Sequence, residues 1–210
     1  MRSDAPACRV RPMKPGDIRQ VMEIERQSFP NTWTRTIYNR ELKNKLARYL
    51  VAYQPLDDSA PVPPEPGIVG FVRRVLRREP LPRERILGLV GLWCMMGEGH
   101  IVTIAVRHEH RRRGIGELLL VAILETALEA GQDGVTLEYR ASNREARALY
   151  EKYGFSQVGL RARYYSDNQE DAVLMSTPPL RSSVYKKLIA RRVAEQRSRW
   201  GESPIHSPAR

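Results

Sequence analysis

The pattern of apolar and polar residues predicts a chain in which strands and helices alternate. Runs that are β-branched or that alternate in polarity predict strands at residues 8–13, 48–53, 67–78, 86–96, 100–106 and 135–140, with two more within 155–176. Apolar residues at helical spacing predict helices after Asp17, from Thr34 to about Lys45, at 115–130 and at 142–153. This order predicts an α/β domain with a mixed sheet.

Two local arrangements follow from the same pattern. Residues 67–78 and 86–96 are expected to form a hairpin, joined through the proline-containing segment 79–84. The string Ser142-Asn-Arg-Glu145 fits a capping box, so Ser142 is expected to cap the helix that follows, with Asn143 as the alternative cap.

A glycine loop between a predicted strand and a predicted helix is the first candidate for chemistry. Residues 111–116 read Arg-Arg-Arg-Gly-Ile-Gly. Gly114 and Gly116 let the backbone approach a ligand closely, and the free N–H groups at the helix start favour an anion such as phosphate. A tight turn with solvated charges explains the same residues. The spacing differs from that of a P-loop, and Leu119 stands where a dinucleotide fingerprint needs a small residue.

Length and charge predict one domain with a basic tail. The chain has 210 residues and a formal net charge of +11, and residues 181–210 contribute +6 of this charge. Such a segment favours contact with RNA or another polyanion, although basic tails also serve only for solubility. Val184, Leu188 and Val193 among its basic residues predict that part of the tail is a basic helix.

Several classes of protein are disfavoured by the sequence. Cys8 and Cys94 provide no disulfide framework, and the N-terminal residues lack the apolar region of a signal peptide. The longest apolar stretch, 86–96, is too short to span a membrane. His108 and His110 have no third metal ligand placed by the sequence. We therefore expect a cytoplasmic protein without a metal or a membrane contact.

Three motifs resemble the GCN5-related N-acetyltransferase (GNAT) superfamily. They are Arg111-x-x-Gly114-x-Gly116, Leu137-Glu138-Tyr-Arg140-Ala-Ser-Asn143, and Ala148-Leu149-Tyr150-Glu-Lys-Tyr-Gly154-Phe155. Phe29-Pro30-x-x-Trp33, Tyr164-Tyr165 and Glu170-Asp171-Ala172 resemble its RimI branch, which acetylates the N-terminal alanine of a ribosomal protein. The resemblance covers residues 8–177.

The resemblance implies a GNAT fold over residues 8–178. This fold has a mixed, mostly antiparallel central sheet that is splayed between two parallel strands and flanked by about four helices. Residues 55–86 would then be a Pro-rich and basic insertion, and residues 179–210 would be a basic C-terminal tail.

The same resemblance implies that acetyl-CoA lies between strands 100–106 and 135–140. The backbone of Ile104, Ala105 and Val106 would bind the pantetheine arm, which Asn143 would also contact. The pyrophosphate would be held by a loop that consists of Arg111, Arg112, Arg113, Gly114, Ile115, Gly116 and Glu117.

Two side chains acquire catalytic roles through the resemblance: Glu138 as general base and Tyr150 as general acid. Acetyl transfer needs a neutral amine and a protonated leaving thiolate, and these residue types fit both needs. Without the resemblance, Glu138 would be interpreted as a solvated strand residue and Tyr150 as a core residue.

The expected substrate is a protein N-terminus, most simply that of a ribosomal protein, with ribosomal RNA contacted through the tail. An α-amine titrates near pH 8 and a lysine near about 10.4, a difference of about 3.3 kcal/mol in deprotonation. A carboxylate base therefore suits the α-amine better. Acetylation of lysine or of a small amine, and a non-catalytic module that binds acyl-CoA or RNA, remain alternatives.

Overall fold

The computed structural model describes residues 8–56 and 84–200. The strands are β1 (Arg9–Pro12), β2 (Ala47–Pro55), β3 (Glu84–Met95), β4 (Glu98–Val106), β5 (Gly134–Arg140), β6 (Ser156–Tyr165) and β7 (Glu170–Ser176). The α-helices are α1 (Ile18–Ser28), α2 (Arg35–Glu41), α3 (Ile115–Glu129), α4 (Arg144–Lys152) and α5 (Ser183–Trp200).

The seven strands form one sheet in the order β1-β2-β3-β4-β5-β7-β6. All neighbouring pairs are antiparallel except β4 and β5, which are parallel. The predicted mixed, mostly antiparallel sheet with one pair of parallel strands is therefore confirmed. Five α-helices accompany it in the described part of the chain, and α5 is the one beyond the four expected.

The predicted hairpin between residues 67–78 and 86–96 is wrong. One edge of β3 pairs with β2 and the other with β4, so both are occupied. Ten of its twelve residues are buried or half-buried, as expected of a central strand covered on both faces. Residues 67–78 themselves lie outside the described part of the chain, as does most of the predicted insertion.

Local sequence signals set several helix ends where they were predicted. The hydroxyl of Thr34 accepts a hydrogen bond from the N–H of Ile37 (3.4 Å) and caps α2, although that helix ends at Glu41 rather than near residue 45. Gly131 and Gly154 follow α3 and α4 with a φ of +81° each. Glycine adopts this left-handed conformation with little strain, which ends a helix.

The core has two parts, one on each face of the sheet. On one face α1 and α2 cover a cluster that includes the packed rings of Trp33, Tyr38 and Tyr49. On the other face α3 is apolar almost all round and lies buried between the sheet and its neighbouring helices. The candidate site lies where the sheet opens between these two parts.

Helix α5 occupies the start of the predicted basic tail and packs on the core. Its inner face carries buried Tyr185, whose hydroxyl donates to the carbonyl oxygen of Tyr153 (3.1 Å), and half-buried Leu188. A Cβ on Gly154 would lie 2.7 Å from Leu188 Cδ2, so the close approach of α5 requires glycine there. Val184, by contrast, is 79% exposed. The basic segment thus begins with a docked amphipathic helix.

Candidate active site

The two parallel strands separate after a short region of pairing. Residues Glu98–Ile101 of β4 pair with Gly134–Leu137 of β5. Both strands extend beyond these residues, but they no longer pair with each other. A bulge in β4 at Val102, opposite the Gly91/Leu92 step of β3, accompanies the separation. The backbone of residues 104–106 consequently presents an edge without a strand partner on the β5 side.

A cleft of about 290 Å³ begins at this open edge and lies between the end of β4, the glycine loop and α4. Ser28, Phe29, His110 and Glu145 contribute to its rim. Nine of the thirteen predicted site residues line the cleft: Ile104, Ala105, Val106, Arg111, Arg112, Ile115, Gly116, Asn143 and Tyr150. The structure thus brings most of the predicted cofactor residues together around one cavity.

The glycine loop presents the start of α3 to this cleft. Gly114 caps the helix with a φ of +87°, a left-handed conformation that glycine tolerates best. The first helical hydrogen bond joins the N–H of Leu118 to the carbonyl oxygen of Gly114. The N–H groups of residues 115–117 therefore have no acceptor within the helix, and the helix dipole makes their position attractive to an anion.

The guanidinium groups of Arg111 and Arg112 bind protein atoms. Arg111 donates from Nε to the carbonyl oxygen of Val106 (3.1 Å) and from its terminal nitrogen to Ser28 Oγ (3.1 Å). Arg112 forms an exposed ion pair with Glu145 (2.7 Å). Arg111 thus ties the loop to the end of β4 and to the C-terminus of α1, and Arg113 is the exposed arginine of the loop beside them.

Three predicted loop residues do not line the cleft: Arg113, Gly114 and Glu117. The Glu117 carboxylate faces α4, where it accepts hydrogen bonds from Lys152 Nζ (2.6 Å) and the Tyr153 hydroxyl (3.0 Å). Gly114 shapes the turn instead. The side chain of Glu117 therefore joins helices, and only its backbone N–H belongs to the helix start.

Asn143 begins α4 and faces the cleft. Its Oδ1 accepts a hydrogen bond from the N–H of Ala146 (3.0 Å), which makes Asn143 the N-cap. The capping box predicted at Ser142 is thus displaced by one residue, because the side-chain oxygen of Asn143 reaches the free N–H three residues on. Capping and cofactor contact are compatible, since the Nδ2 group stays available.

Tyr150 lies on α4 with its ring packed between those of Tyr139 and Phe155, at 5.7 Å from each centroid. It lines the cleft but is only 4% exposed. Burial raises the pKa of Tyr150, and the neighbouring phenols of Tyr165 and Tyr139 raise it further. The phenol therefore stays protonated and can act as a hydrogen-bond donor inside the cleft.

Glu138 projects from the other face of β5. Alternation along the strand puts Leu137 and Tyr139 into the core beneath α3 and α4, and Glu138 on the opposite face. Its carboxylate lies 2.9 Å from His100 Nε2 and 3.2 Å from a terminal nitrogen of Arg161. Glu138 does not line the cleft itself.

The two predicted catalytic groups thus lie on opposite faces of β5, next to the gap between β4 and β5. Glu138 follows directly after Leu137, the last residue of β5 paired to β4. An amine that approaches on the Glu138 face can therefore meet a thioester that approaches on the Tyr150 face. Burial raises the pKa of Tyr165, to which the charge of Glu138 adds a smaller contribution.

His100 is a candidate functional residue that the sequence analysis missed. It lies on β4, pairs in register with Thr136 of β5, and binds Thr136 Oγ1 through Nδ1 (3.0 Å) while Nε2 faces Glu138. The sequence showed only that His100 is a polar residue in the strand before the glycine loop. Its nearness to Glu138 follows from the pairing register of β4 and β5, which puts both side chains on the same face of the sheet.

A second cavity lies away from the cleft. This apolar cavity of about 380 Å³ lies between α3 and α5, and its lining contains none of the predicted site residues. Within residues 8–56 and 84–200, no cluster of three or more His, Cys, Asp or Glu side chains could hold a metal ion. No helix in this part of the chain is long and apolar enough to cross a membrane.

Comparison with known proteins agrees with this geometry. A sequence model of the acetyltransferase (GNAT) family matches residues 18–155. A Bacillus subtilis (strain 168) protein named as a ribosomal protein bS18-alanine N-acetyltransferase is 32% identical over 167 residues, which cover 79% of this chain and 92% of the relative. An N-alpha-acetyltransferase of Sulfurisphaera tokodaii is 32% identical over 173 residues, or 81% of this chain and 92% of that protein.

Solved structures share the fold. The ribosomal-protein-S18-alanine N-acetyltransferase from Escherichia coli matches with a TM-score of 0.62 at 21% identity, over 82% of this chain and 94% of that one. The splayed sheet, the glycine loop and the matched family model lead to one conclusion: this chain belongs to the GNAT family and is an acyltransferase.

Proposed function

We propose that this protein transfers an acetyl group from acetyl-CoA to the α-amine of a protein N-terminus, with the N-terminal alanine of a ribosomal protein as its substrate. The observation that carries the proposal is the gap between β4 and β5, with a cleft on the Tyr150 side and Glu138 on the other. The names of the relatives support the substrate class. We expect this reaction in the cytoplasm.

The residues around the cleft fit acetyl-CoA. The open edge of β4 at Ile104, Ala105 and Val106 offers backbone groups to the amides of a pantetheine arm. The free N–H groups at the start of α3 suit the pyrophosphate, and a Cβ on Gly116 would lie at 3.8 Å from Leu149, so the glycine leaves room. Asn143 can add a side-chain contact. When bound, acetyl-CoA supplies an activated acyl carbon and a thiolate leaving group.

Glu138 is suited to receive the proton of the incoming amine, directly or through one water molecule. Its carboxylate is held by His100 and Arg161, so its position is fixed before the substrate arrives. An α-amine with a pKa near 8 needs about 3.3 kcal/mol less for deprotonation than a lysine with a pKa near 10.4. This difference favours an N-terminal substrate.

Tyr150 is suited to donate a proton to the leaving sulfur. Because burial raises the pKa of its phenol, the proton is present throughout the neutral range. The amine attacks the acyl carbon as the carbon–sulfur bond breaks, Glu138 takes the amine proton, and Tyr150 protonates the thiolate. The transfer is direct and uses no covalent enzyme intermediate.

Acetylation of lysine or of small amines is the second candidate. A polyamine would bring several positive charges next to Arg161, which already lies beside Glu138. The net charge of +11 opposes such a substrate further. A module that only binds acyl-CoA would need the glycine loop but neither Glu138 nor Tyr150.

The partner of the basic C-terminal segment is proposed to be ribosomal RNA. Lys186, Lys187 and Arg191 point outward from α5, while its inner face is docked. Reversing Lys186 and Lys187 to glutamate should weaken ribosome association at low salt, whereas the same change at exposed Lys43 and Lys45 should not. Equal association of both double variants would refute the contact. Removal of residues 181–210 is a poor test, because it would strip buried Tyr185 from the core.

The activity is tested with acetyl-CoA and a panel of peptides that start with alanine, serine or methionine. A further peptide with a blocked N-terminus and one lysine serves as control. We expect release of free CoA with the alanine peptide and none with the blocked peptide. Release with the blocked peptide alone would reassign the substrate to lysine.

A further inference from the structure

A polar cluster surrounds Arg140 at the end of β5. Its guanidinium donates to Asp167 Oδ1 (2.8 Å) and Asn168 Oδ1 (3.0 Å), and lies 3.4 Å from Glu170 Oε2. Its central carbon lies 3.9 Å from the ring centroid of Tyr165. One planar cation thus fastens the turn between β6 and β7 to the end of β5 and covers the ring of Tyr165.

The cluster is also tied to the start of α4. The Glu170 carboxylate accepts hydrogen bonds from the N–H of Ser142 (2.8 Å) and from Asn168 Nδ2 (3.1 Å). Hydrogen bonds from Ser142 are the main reason that the pKa of Glu170 falls to about 2. The carboxylate is therefore charged at neutral pH and links the β6–β7 turn to the loop that carries Asn143.

The β6–β7 segment holds two residues in strained backbone conformations. Arg163 and Gln169 have φ values of +53° and +58°, in the left-handed region that residues with a Cβ rarely adopt. The N–H of Arg163 donates to Asp171 Oδ1 (2.8 Å), and that of Gln169 to the carbonyl oxygen of Tyr165 (2.8 Å). Such conformations persist where surrounding contacts determine them, and they concentrate at functional sites.

The residue that these contacts fix in place is Tyr165. Arg140 and Glu138 share one face of β5 by alternation, so the ring stacked on Arg140 lies on the face of the carboxylate. The ring of Tyr165 therefore lies on the side of β5 from which the proposed function has the amine approach.

We propose that Arg140 is a positioning residue for the transfer reaction. By stacking on Tyr165 and by its bonds to Asp167 and Glu170, it holds the ring of Tyr165 in the place where that ring orients the incoming peptide N-terminus. This inference rests on the proposed function. Arg140 does not line the cleft. A lysine could carry the charge but could not stack on the ring and bind three acceptors at once.

The kinetic test compares Arg140→Lys and Arg140→Met with Arg147→Met, which removes an exposed arginine that pairs with Glu151 on α4. Both Arg140 variants should lower kcat/KM for the alanine peptide by about 10- to 100-fold, the loss expected from a misplacement of about 1 Å. Acetyl-CoA affinity by calorimetry should stay within about twofold. Arg147→Met should match the parent protein.

A double-mutant cycle separates positioning from general stability. If Arg140 acts through Tyr165, then Arg140→Lys should have no further effect on kcat/KM in a Tyr165→Leu background. Additive losses would overturn the proposal. Asp167→Asn, at the exposed turn, weakens the cluster from the other side and should reproduce part of the loss even if the Arg140 variants fold poorly.

Hydrogen exchange of residues 163–170 in the unliganded protein gives a readout that needs no substrate. Exchange should be faster in Arg140→Lys than in the parent protein or Arg147→Met. Faster exchange without a kinetic loss, or unchanged exchange, would overturn the proposal. If the parent protein acetylated no peptide α-amine, the proposed function would fail and the exchange experiment would still report whether Arg140 holds the turn.

Discussion

His100 Nε2 lies 2.9 Å from Glu138 Oε2, across the two parallel strands just where they separate. His100 belongs to the last paired part of β4, whereas Glu138 is the first residue of β5 beyond the pairing. The contact therefore joins β4 to β5 at the point where the two strands separate. It holds the carboxylate of Glu138 beside the gap between the two strands.

Replacement of Glu138 by glutamine should slow the chemical step and leave acetyl-CoA binding unchanged. We expect kcat to fall by roughly 10²-fold near neutral pH, as for the loss of a general base. The loss should shrink above about pH 8, where an α-amine is already neutral. Steady-state kinetics from pH 6 to 9 measure this effect. Glu151→Gln, at an exposed residue of α4, is the matched control; a loss of the same size there would contradict the assignment.

Tyr150→Phe should lower kcat by roughly 10²-fold at every pH in the neutral range. Burial raises the pKa of Tyr150 above its usual value near 10, so its proton is retained as the pH rises. The parent protein should consequently lose no activity through this group up to about pH 9. Tyr139→Phe removes the hydroxyl of the adjacent ring and should retain activity. Equal rates for all three proteins would show that Tyr150 is only a core residue.

The glycine loop can be tested one residue at a time. Gly116→Ala meets no side chain closer than 3.8 Å, so its melting temperature should stay near that of the parent protein. Its methyl group enters the cleft, and acetyl-CoA should bind about tenfold more weakly, a change of about 1.4 kcal/mol.

Gly114→Ala and Gly16→Ala complete this series. Gly114 has a φ of +87°, so alanine there should cost about 1–2 kcal/mol of stability. Gly16 has nothing within 4 Å and serves as the neutral control. Unchanged acetyl-CoA affinity in Gly116→Ala, measured by calorimetry, would mean that the loop is only a turn.

The charge of Glu170 should stabilise the protein in a pH-dependent way. Its pKa falls to about 2 in the folded protein from an ordinary value of 4.5. The stabilisation is therefore fully present above about pH 4.5 and is lost as the pH falls toward 2. Denaturant unfolding should show Glu170→Gln less stable than the parent near pH 7, with the difference shrinking by about pH 3.5. A constant difference at both pH values, or a difference as large for exposed Glu98→Gln, would contradict this.

Much of the fold was accessible from the sequence because its signals are local. Alternation identified β5, apolar side chains at helical spacing identified α4, and glycines marked the ends of α3 and α4. The pairing of β3 was not accessible. Its apolar residues mark a buried strand, but periodicity does not say which neighbours cover its two edges.

The sequence predicted the glycine loop and the start of α3, because a backbone motif with Gly114 and Gly116 defines both. The side chains were harder, because Glu117 binds Lys152 and Arg111 binds Ser28 through contacts between distant segments. The bonds of His100 to Glu138 and of Arg140 to the β6–β7 turn also join segments that are distant in the sequence, so the sequence alone did not reveal them.

Helix α5 shows that composition alone does not settle how a basic segment packs. The +6 charge of residues 181–210 predicted a basic tail, and Val184, Leu188 and Val193 predicted that part of it is helical. Tyr185, Leu188, Ile189 and Val193 recur at helical spacing within it, and they pack on the core. The periodicity was the better signal, since a helix can bury one face and still present lysines on the other.

The position of the acetyl group on a single peptide tests the central claim most directly. The peptide carries a free N-terminal alanine and one internal lysine, and fragment mass spectrometry after incubation with acetyl-CoA locates the added group. The account predicts one acetyl group on the alanine nitrogen, formed far more slowly by Glu138→Gln and by Tyr150→Phe. Acetyl on the lysine, or alanine acetylation at the parent rate in both variants, would contradict it.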